Sequence, residues 1–389
     1  MQPSTFGSGP AEMPYWRLSG FYFCYFALLG GVAPFLSLYF HHLGFSAARI
    51  GELIAIPLLM RCLAPNLWGW LGDRSGRRLL IVRVGALLTA LTFSAIFWRQ
   101  DYLWLALAMA LHSFFWHAIL PQFETITLNH LGAQSSRYSQ IRLWGSVGFI
   151  VTVVVLGALL DSFSLDIYPQ AMFGIMLGIF CCSLLVPPVP HTAARSDSVS
   201  VSGFLKQLRS PGVVMFFCCV ALMQLSHGPY YTFLTLHLEA LGYTRGLIGA
   251  LWALGVVAEI VLFLLMGRLL ARFSLKRMLI ASFALAALRW LLLGWLADSL
   301  AALIAAQLMH AATFGCFHVV AVHFVQRTFS EQLQGQGQAL YATLSGCGGA
   351  LGALYAGYSW STLGAGWTFS LASLAAAVAA LLLLRRMPA

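Results

Sequence analysis

Residues 43–51 read LGFSAARIG, and residues 241–249 read LGYTRGLIG. A shift of 198 residues superimposes the two stretches, with four identical positions and with Phe/Tyr and Ser/Thr replacements at two more. The same shift, without a gap, matches further residues along both halves: Gly69 with Gly267, Leu71 with Leu269, Arg74 with Arg272, His112 with His310 and Gln140 with Gln338. Because one register relates the two halves, the sequence predicts an internally duplicated fold.

The composition of the chain excludes a soluble globule. Apolar residues make up 60% of the 389 positions and charged residues only 9%, which leaves too little polar surface to cover a soluble domain. The net charge of +10 would suit nucleic acid only if the basic residues clustered on such a domain. We therefore expect the lipid bilayer, and not nucleic acid, to contact most of the surface.

Twelve apolar stretches are long enough to cross a bilayer, which needs about 20 residues per helix. They lie near residues 15–40, 50–71, 79–98, 102–127, 141–160, 167–187, 212–238, 246–267, 278–297, 299–322, 337–359 and 364–384. A polar segment rich in Pro and Ser follows the sixth stretch. We therefore expect an N-terminal six-helix bundle over 1–187, a cytoplasmic linker over 188–211 and a C-terminal six-helix bundle over 212–389.

The predicted fold class is an all-α membrane protein whose two six-helix repeats are parallel, because each repeat holds an even number of spans. Transporters built in this way bind their substrate between the halves, near the bilayer midplane.

The distribution of Lys and Arg predicts the orientation. With a cytoplasmic N-terminus, seventeen basic residues lie on inside segments and only Arg49, Arg99 and Arg245 lie outside, while Arg61 and Arg289 fall within spans. Short loops rich in Lys and Arg stay in the cytoplasm, so both termini are expected there. Residues 1–14 lack the basic region and cleavage site of a signal peptide.

The eight cysteines and eleven histidines raise the alternative of a membrane redox or metal-binding protein. The cysteines lie inside apolar stretches without CxxC spacing, and the histidines show no HxxxH or CxxCH pattern. A metal or haem would also leave the duplication unexplained. We therefore expect no cofactor, no metal and no enzymatic activity; a transporter fold acting as a receptor stays open as a further alternative.

The first cytoplasmic turn of the repeat carries a recognisable pattern. Residues 69–78 read GWLGDRSGRR, in which glycines permit a tight turn, Asp73 can cap a helix or pair with Arg, and basic residues anchor the loop inside. This pattern resembles the loop signature of the major facilitator superfamily, which implies a gating loop. The residues expected to form that gating loop are Gly69, Asp73, Arg74, Gly76 and Arg77. In the second repeat Ala271 replaces the aspartate, so a charge gate is expected on one side only.

Further segments resemble the phenylpropionate permease branch of that superfamily. They are Arg142–Phe149, Ser226–Tyr231, Gly255–Glu259, Leu288–Trp290 and His310–His318. The branch is similar to lactose permease and to nucleoside–proton symporters. The resemblance implies proton-driven uptake across a bacterial inner membrane by a protein expected to be a monomer.

Glu124 lies toward the cytoplasmic end of the fourth predicted span, and Arg142 opens the fifth. They lie on the facing ends of two consecutive predicted helices, so we expect them to meet as a salt pair. The surrounding pattern looks like the sugar-contacting carboxylate and arginine of lactose permease, which implies a clamp for a polar group of the substrate, with Phe149 as a stacking face. A purely structural ion pair is the alternative.

Glu259 is the candidate proton carrier. It lies eight residues from the inner end of its predicted helix, which is about 12 Å deep at 1.5 Å per residue, and burial favours the neutral form of a carboxyl group. Arg289 is expected at similar depth as its counter-charge. In lactose permease a carboxylate follows the tenth-helix histidine by three residues; here that position is Thr313, so we assign the relay to His310. A static Glu–Arg pair is the alternative.

The remaining candidates are polar or aromatic residues of helices that line the cavity in this superfamily. Arg61 is a possible partner of a substrate carboxylate, with a pair to Glu52 as the alternative. The expected substrate contacts are Tyr25, Gln224, His227, Tyr230, Tyr231 and His318. Around His227, the neighbouring Ser226, Gly228 and Pro229 predict a locally opened helix.

The expected substrate is a small organic acid, aromatic by the branch resemblance. A sugar or nucleoside symporter, or an exporter of drugs or metabolites, remains an alternative, because the Glu124–Arg142 pair suits hydroxyl groups too and because exporters share the loop signature.

Overall fold

A computed structural model describes residues 13–188 and 201–386 of the chain. Within these two ranges the regular structure is helical and contains no strand, so the predicted all-α class is confirmed. Part of the predicted linker, residues 189–200, lies outside the described residues.

The first half contains six long helices. They are α1 (Tyr15–His42), α2 (Ala47–Ser75), α3 (Arg78–Phe93), α4 (Tyr102–Leu131), α5 (Tyr138–Ser162) and α6 (Tyr168–Leu185). A 3₁₀ turn, Ser94–Phe97, continues α3.

The second half is more broken. Its helices are α7 (Val201–Leu208), α8 (Pro211–Ser226), α9 (Gly228–Ala240), α10 (Arg245–Arg272), α11 (Leu275–Trp295), α12 (Leu300–Leu308), α13 (Phe317–Thr328) and α14 (Gln334–Arg386). α7 lies within the predicted linker. α8 and α9 are separated at His227, where an opened helix was predicted, and a π-helical turn, Ala311–Cys316, separates α12 from α13.

The duplicated sequence builds the same turn twice. Gly44 and Gly242 have φ angles of 84° and 89°, a left-handed conformation that favours glycine. Two residues later the Ser46 hydroxyl accepts from the backbone N–H of Arg49 at 3.5 Å, and the Thr244 hydroxyl accepts from that of Leu247 at 3.3 Å. Each hydroxyl caps the N-terminus of the helix that follows. We call the end of the molecule that carries both turns the repeat-turn face.

Nine helical segments in the described ranges are long and apolar enough to cross a membrane. One of them, Tyr102–Ser162, has 61 residues, about 90 Å of helix against a bilayer core of about 30 Å. It contains non-helical geometry at Gln134, and α14 contains the same at Gly364 (φ 77°). α2 is absent from the nine although it has 29 residues, because polar and charged side chains interrupt its apolar stretch.

Each half has its own apolar core, and the halves meet along three helix pairs: α2 with α14, α5 with α10 and α1 with α9. Small residues bring the backbones together. A Cβ on Gly51 would lie 2.6 Å from the carbonyl oxygen of Ala353, and one on Gly249 would lie 2.1 Å from that of Val153. No larger side chain fits there unless the halves separate.

Candidate functional site

The charged side chains at membrane depth converge where the two halves face each other. The guanidinium of Arg142, from α5, lies close enough to the carboxyl group of Glu259, from α10, for their charges to interact. The charge of Arg61, from α2, likewise interacts with the side chains of His318 and Tyr341 in the second half. The interface therefore holds basic groups of the first half opposite titratable groups of the second.

Glu124 and Arg142 are neighbours whose charges interact, but they are farther apart than the 4.0 Å of an ion pair. The Tyr138 hydroxyl donates to Glu124 Oε1 at 3.2 Å. The Arg142 guanidinium carbon instead lies 3.8 Å from the centroid of the Phe26 ring, a cation–π contact. The expected salt pair is thus replaced by a stacked guanidinium that makes no hydrogen bond to a described residue.

Tyr25 and Phe149, two aromatic residues predicted to contact the substrate, lie in different parts of the structure. Tyr25 packs edge-on against Phe26, with ring centroids 5.4 Å apart, and beside Trp116 at 5.7 Å. Phe26, Tyr25 and Trp116 thus form one aromatic surface beneath Arg142, which we call the aromatic wall. Phe149 is buried in the apolar cluster of the second half, and its backbone lies against Gly30. Its position indicates packing between the halves, and no described contact joins it to Arg142.

Arg289 is fully buried and its guanidinium is surrounded by neutral acceptors. It donates to the Ala306 carbonyl at 2.8 Å, to Thr313 Oγ1 at 3.0 Å and to Gln307 Oε1 at 3.2 Å. The Tyr230 hydroxyl also donates to Gln307 Oε1, at 3.0 Å, and the Tyr230 ring lies 4.1 Å from the guanidinium carbon. Thr313 stands three residues after His310, where the resemblance implied a carboxylate, and its hydroxyl oxygen accepts a hydrogen bond from Arg289.

Glu259 lies beside His310, with Oε2 and Nε2 4.0 Å apart. The His310 ring is stacked between Tyr230 at 5.7 Å and Phe314 at 5.3 Å. The backbone of the π-helical turn leaves room for the carboxyl group, since a Cβ on Gly315 would lie 2.9 Å from Glu259 Cγ. π-Helical turns inside α-helices are frequent at functional sites. The charge that acts on Glu259 is Arg142, not the expected Arg289.

Arg61 and His318 line the interface from opposite halves. Arg61 is exposed and makes no hydrogen bond or ion pair to any other residue that the structure describes. The suggested partner Glu52 is engaged elsewhere, as it accepts from the hydroxyls of Tyr102 at 2.6 Å and Tyr358 at 2.5 Å. His318 Nδ1 lies 2.9 Å from the Tyr341 hydroxyl. The Arg61 guanidinium is therefore accessible to solvent at the interface.

The residues at the interruption between α8 and α9 are mostly packed. His227 is buried, its Nδ1 lies 2.8 Å from the Met223 carbonyl oxygen, and its ring stacks on Tyr231 at 5.8 Å. Tyr231 is partly exposed, and its hydroxyl group interacts electrostatically with the charges of Arg289, Glu259 and Arg61. Gln224 is partly exposed beside Gly348 of α14. Tyr231 and Gln224 are the members of this group that remain accessible.

The loop signature is held together at the opposite end from the repeat turns. Arg78 pairs with Asp73 and donates to Gln122 Oε1 of α4 at 2.5 Å. Gly76 ends α2 in the left-handed conformation, with φ 64°. Arg74 stacks near Trp70 at 5.5 Å, and Gly69 has nothing packed over its Cα. Asp73 is thus neutralised within its own loop.

Several site residues have no signal in the sequence. The tertiary fold brings four of them into contact with a charged side chain: Phe26 with Arg142, Tyr138 with Glu124, and both Gln307 and Trp290 with Arg289. Of the groups that accept from Arg289, the sequence analysis named only Thr313.

Comparisons with known proteins show which family the chain resembles and which fold it shares. The model of the MFS_1 like family matches residues 15–371. A probable 3-phenylpropionic acid transporter of Escherichia coli K12 is 31% identical over 363 residues, covering 91% of this chain and 94% of its own. The maltose permease of Geobacillus stearothermophilus is 26% identical, covering 94% and 93%. The structure of a mutant of the nucleoside transporter NupG superimposes with a TM-score of 0.86 at 18% identity, covering 95% and 98%.

Proposed function

We propose that this chain, which belongs to the MFS_1 like family of the major facilitator superfamily, is a symporter. It is a multi-pass membrane transporter and not an enzyme. It moves one small organic carboxylate together with one proton. The relative named as a probable 3-phenylpropionic acid transporter supports an aromatic acid as the substrate.

The chain crosses the membrane twelve times, in two parallel six-helix halves. Support comes from counting two crossings in each of the overlong segments Tyr102–Ser162 and Gln334–Arg385, and one in α2. Both termini lie in the cytoplasm of a bacterial cell, which makes the repeat-turn face periplasmic. In this arrangement residues 1–187 and 212–389 move against each other as a monomer, and the loop over Gly69–Arg77 is the cytoplasmic gate.

The stacked guanidinium of Arg142 is the observation that carries the substrate class. Its donors are unused by the described residues, and its face lies 3.8 Å from the Phe26 ring centroid beside Tyr25. Guanidinium groups bind carboxylates through two parallel N–H donors. A second unpaired guanidinium, that of Arg61, lies at the same interface. An aromatic carboxylate satisfies both features, with its acid on Arg142 or Arg61 and its ring on the aromatic wall.

The proton is carried by Glu259 and relayed by His310. Their 4.0 Å separation and the charge of Arg142 acting on Glu259 support this role. When Glu259 is ionised, Arg142 is attracted to it across the interface. When a proton neutralises Glu259, Arg142 is released to bind the substrate carboxylate. Proton binding and anion binding therefore favour each other, while Arg289 holds α11 to the helix interruption around Thr313.

The charge balance of transport tests this function. Purified protein in liposomes should take up radiolabelled 3-phenylpropionate when a pH gradient, inside alkaline, is imposed. One proton and one monoanion carry no net charge, so clamping the membrane potential with valinomycin and potassium should leave the initial rate unchanged. Failure of a pH gradient to drive uptake of 3-phenylpropionate, benzoate or cinnamate would contradict the proposal.

A nucleoside or sugar symporter is the second candidate. The contact between Tyr138 and Glu124 places a hydroxyl and a carboxylate next to Arg142, and such a set also suits neutral polyols. The maltose permease and nucleoside transporter relatives support it. A neutral solute moving with a proton carries one positive charge, so its uptake should accelerate with an inside-negative potential. The same clamp therefore separates the two candidates.

A further inference from the structure

Two pairs of cysteines lie in contact at membrane depth, in different positions relative to the two halves. Cys24 of α1 and Cys182 of α6 have their sulfur atoms 3.7 Å apart within the first half. Cys62 of α2 and Cys347 of α14 have theirs 3.7 Å apart across the interface between the halves. All four thiols are free.

The second pair belongs to a continuous contact between α2 and α14. Gly51 packs on Gly357 near the repeat-turn face, Leu58 packs on Gly349, and Cys62 packs on Gly346 farther from it. The helices are therefore antiparallel, and the contact continues for about 16 Å along α2. Cys62 also faces the Thr343 carbonyl oxygen at 3.3 Å. Any opening of the repeat-turn face must separate α2 from α14.

We propose that Cys62 and Cys347 form a redox-sensitive latch, whose oxidation to a disulfide locks the repeat-turn face closed and stops transport. The latch rests on the proposed function only in assuming that the halves separate at this face. With hydrogen peroxide as oxidant, one thiolate attacks the peroxide oxygen to give a sulfenic acid and releases hydroxide. The other thiolate then displaces hydroxide from that sulfur, so that two thiols and one peroxide give one disulfide and two waters.

The geometry leaves little movement for this reaction. The sulfurs must approach from 3.7 Å to about 2.05 Å, which side-chain rotation and a small helix shift supply. Cys347 is partly exposed, and Arg61, next to Cys62 in the chain, is exposed at the interface. Small oxidants can therefore reach the pair without unfolding the helices.

The test measures both the bond and the movement of the full-length protein in nanodiscs. Fluorophores on non-natural amino acids at Phe45 of the first half and Ala240 of the second, which line the same pocket at the repeat-turn face, report the separation of the halves. After peroxide, peptide mass spectrometry should find Cys62 linked to Cys347. The long-distance population should fall at least tenfold, and dithiothreitol should restore it.

The second cysteine pair supplies the matched control. Cys62→Ser keeps the Cys24–Cys182 pair and should keep the long-distance population under peroxide. Cys24→Ser, which leaves the inter-half pair alone, should still lose that population. The latch is refuted if peroxide yields no Cys62–Cys347 peptide, if the linked protein still opens, or if the reduced protein shows no long-distance population. Absence of 3-phenylpropionate uptake by the reduced protein would count against the proposed function alone.

Discussion

Arg142 and Arg289 differ in what satisfies their donors. Arg289 donates to neutral oxygens of Ala306, Gln307 and Thr313. Arg142 has an aromatic face beneath it and unused donors. Arg142 is partly exposed, so solvent reaches its unused donors, whereas Arg289 has no exposed surface and its donors bond to oxygens of its own half.

Glu259→Gln tests the proton site. The amide mimics the protonated carboxyl group permanently, so the loaded carrier should still alternate while the empty carrier cannot release a proton and reset. We expect equilibrium exchange of substrate near the wild-type rate and loss of accumulation driven by a pH gradient. Paired exchange and uptake assays in proteoliposomes measure the two steps. Normal accumulation would remove Glu259 from the mechanism and leave His310 as the proton site.

Arg142→Lys tests the substrate clamp. Lysine keeps the charge but lacks the planar fork and the stacking face, so affinity for the ligand should fall at least tenfold while folding is preserved. Glu124→Gln should also weaken binding. Ligand-dependent thermal shift of the purified variants measures affinity, and their unliganded melting temperatures serve as the control. Unchanged affinity in both variants would make the pair part of the scaffold.

Arg289→Ala should act mainly on stability. It removes the guanidinium donor from the Ala306 carbonyl oxygen and from Thr313 Oγ1, whereas Gln307 Oε1 keeps the Tyr230 hydroxyl. Each buried polar group left unsatisfied costs about 1–3 kcal/mol. We expect a melting temperature several degrees below wild type, together with weaker proton coupling. A variant with normal thermal stability in detergent but defective coupling would instead give Arg289 a direct role in proton release.

Among the helices, α10 begins against the end of α5 in the other half. The Asp161 carboxylate accepts from the backbone N–H groups of Arg245 at 2.7 Å and Gly246 at 2.8 Å. These are among the N–H groups that a helix N-terminus leaves without internal partners, and the helix dipole adds attraction for an anion. Arg245 in turn donates to the Leu160 carbonyl oxygen at 2.6 Å. One carboxylate thus holds two helices of different halves together at the repeat-turn face.

Asp161→Ala should favour separation of the halves at this face. Losing an N-terminal cap costs about 1 kcal/mol, which corresponds to about a fivefold shift in a two-state equilibrium. A single cysteine at Val153, buried against Gly249, in a protein without its native cysteines, reports the shift. Maleimide should label it about fivefold faster in the Asp161→Ala background. Equal labelling with and without Asp161 would show that the cap does not control closure.

At the scale of the whole molecule, the two halves are alike in their turns and different in their polar groups. The first half supplies the aromatic wall with Arg142, and the second supplies Glu259 and His310 with a helix interrupted by a π-helical turn. Under the proposed function, duplication supplies the symmetry that alternation needs, and divergence divides substrate and proton binding between the halves.

The proposed orientation is testable by labelling from outside. A cysteine at Ser196, in the linker and outside the described residues, should resist a membrane-impermeant maleimide in intact cells and react after permeabilisation, because Lys and Arg concentrate on the linker side of the membrane. A cysteine at Ser46, on the repeat-turn face, should show the opposite behaviour and serves as the control. Labelling of Ser196 from outside would invert the topology.

The sequence by itself determined the solvent, the helical class and the family. Lipid leaves no partner for an open backbone, so long apolar stretches must be helices, and the 198-residue repeat and the GWLGDRSGRR loop are local patterns that one sequence displays. It also located Glu124, Arg142, Glu259 and Arg289, because ionised groups at membrane depth are rare and costly.

Only the tertiary structure decided how these groups are partnered. Arg142 stacks on Phe26 instead of pairing with Glu124, and Arg289 donates to Thr313 and Gln307. Cys62 lies against Cys347. All of these are contacts between segments that are distant in the sequence. Such contacts depend on helix rotation and side-chain rotamers at a scale of about 1 Å, and a shift of that size decides whether two groups bond at all. Hydropathy and spacing place a residue on a helix at a given depth, but they do not encode which neighbouring helix its side chain reaches.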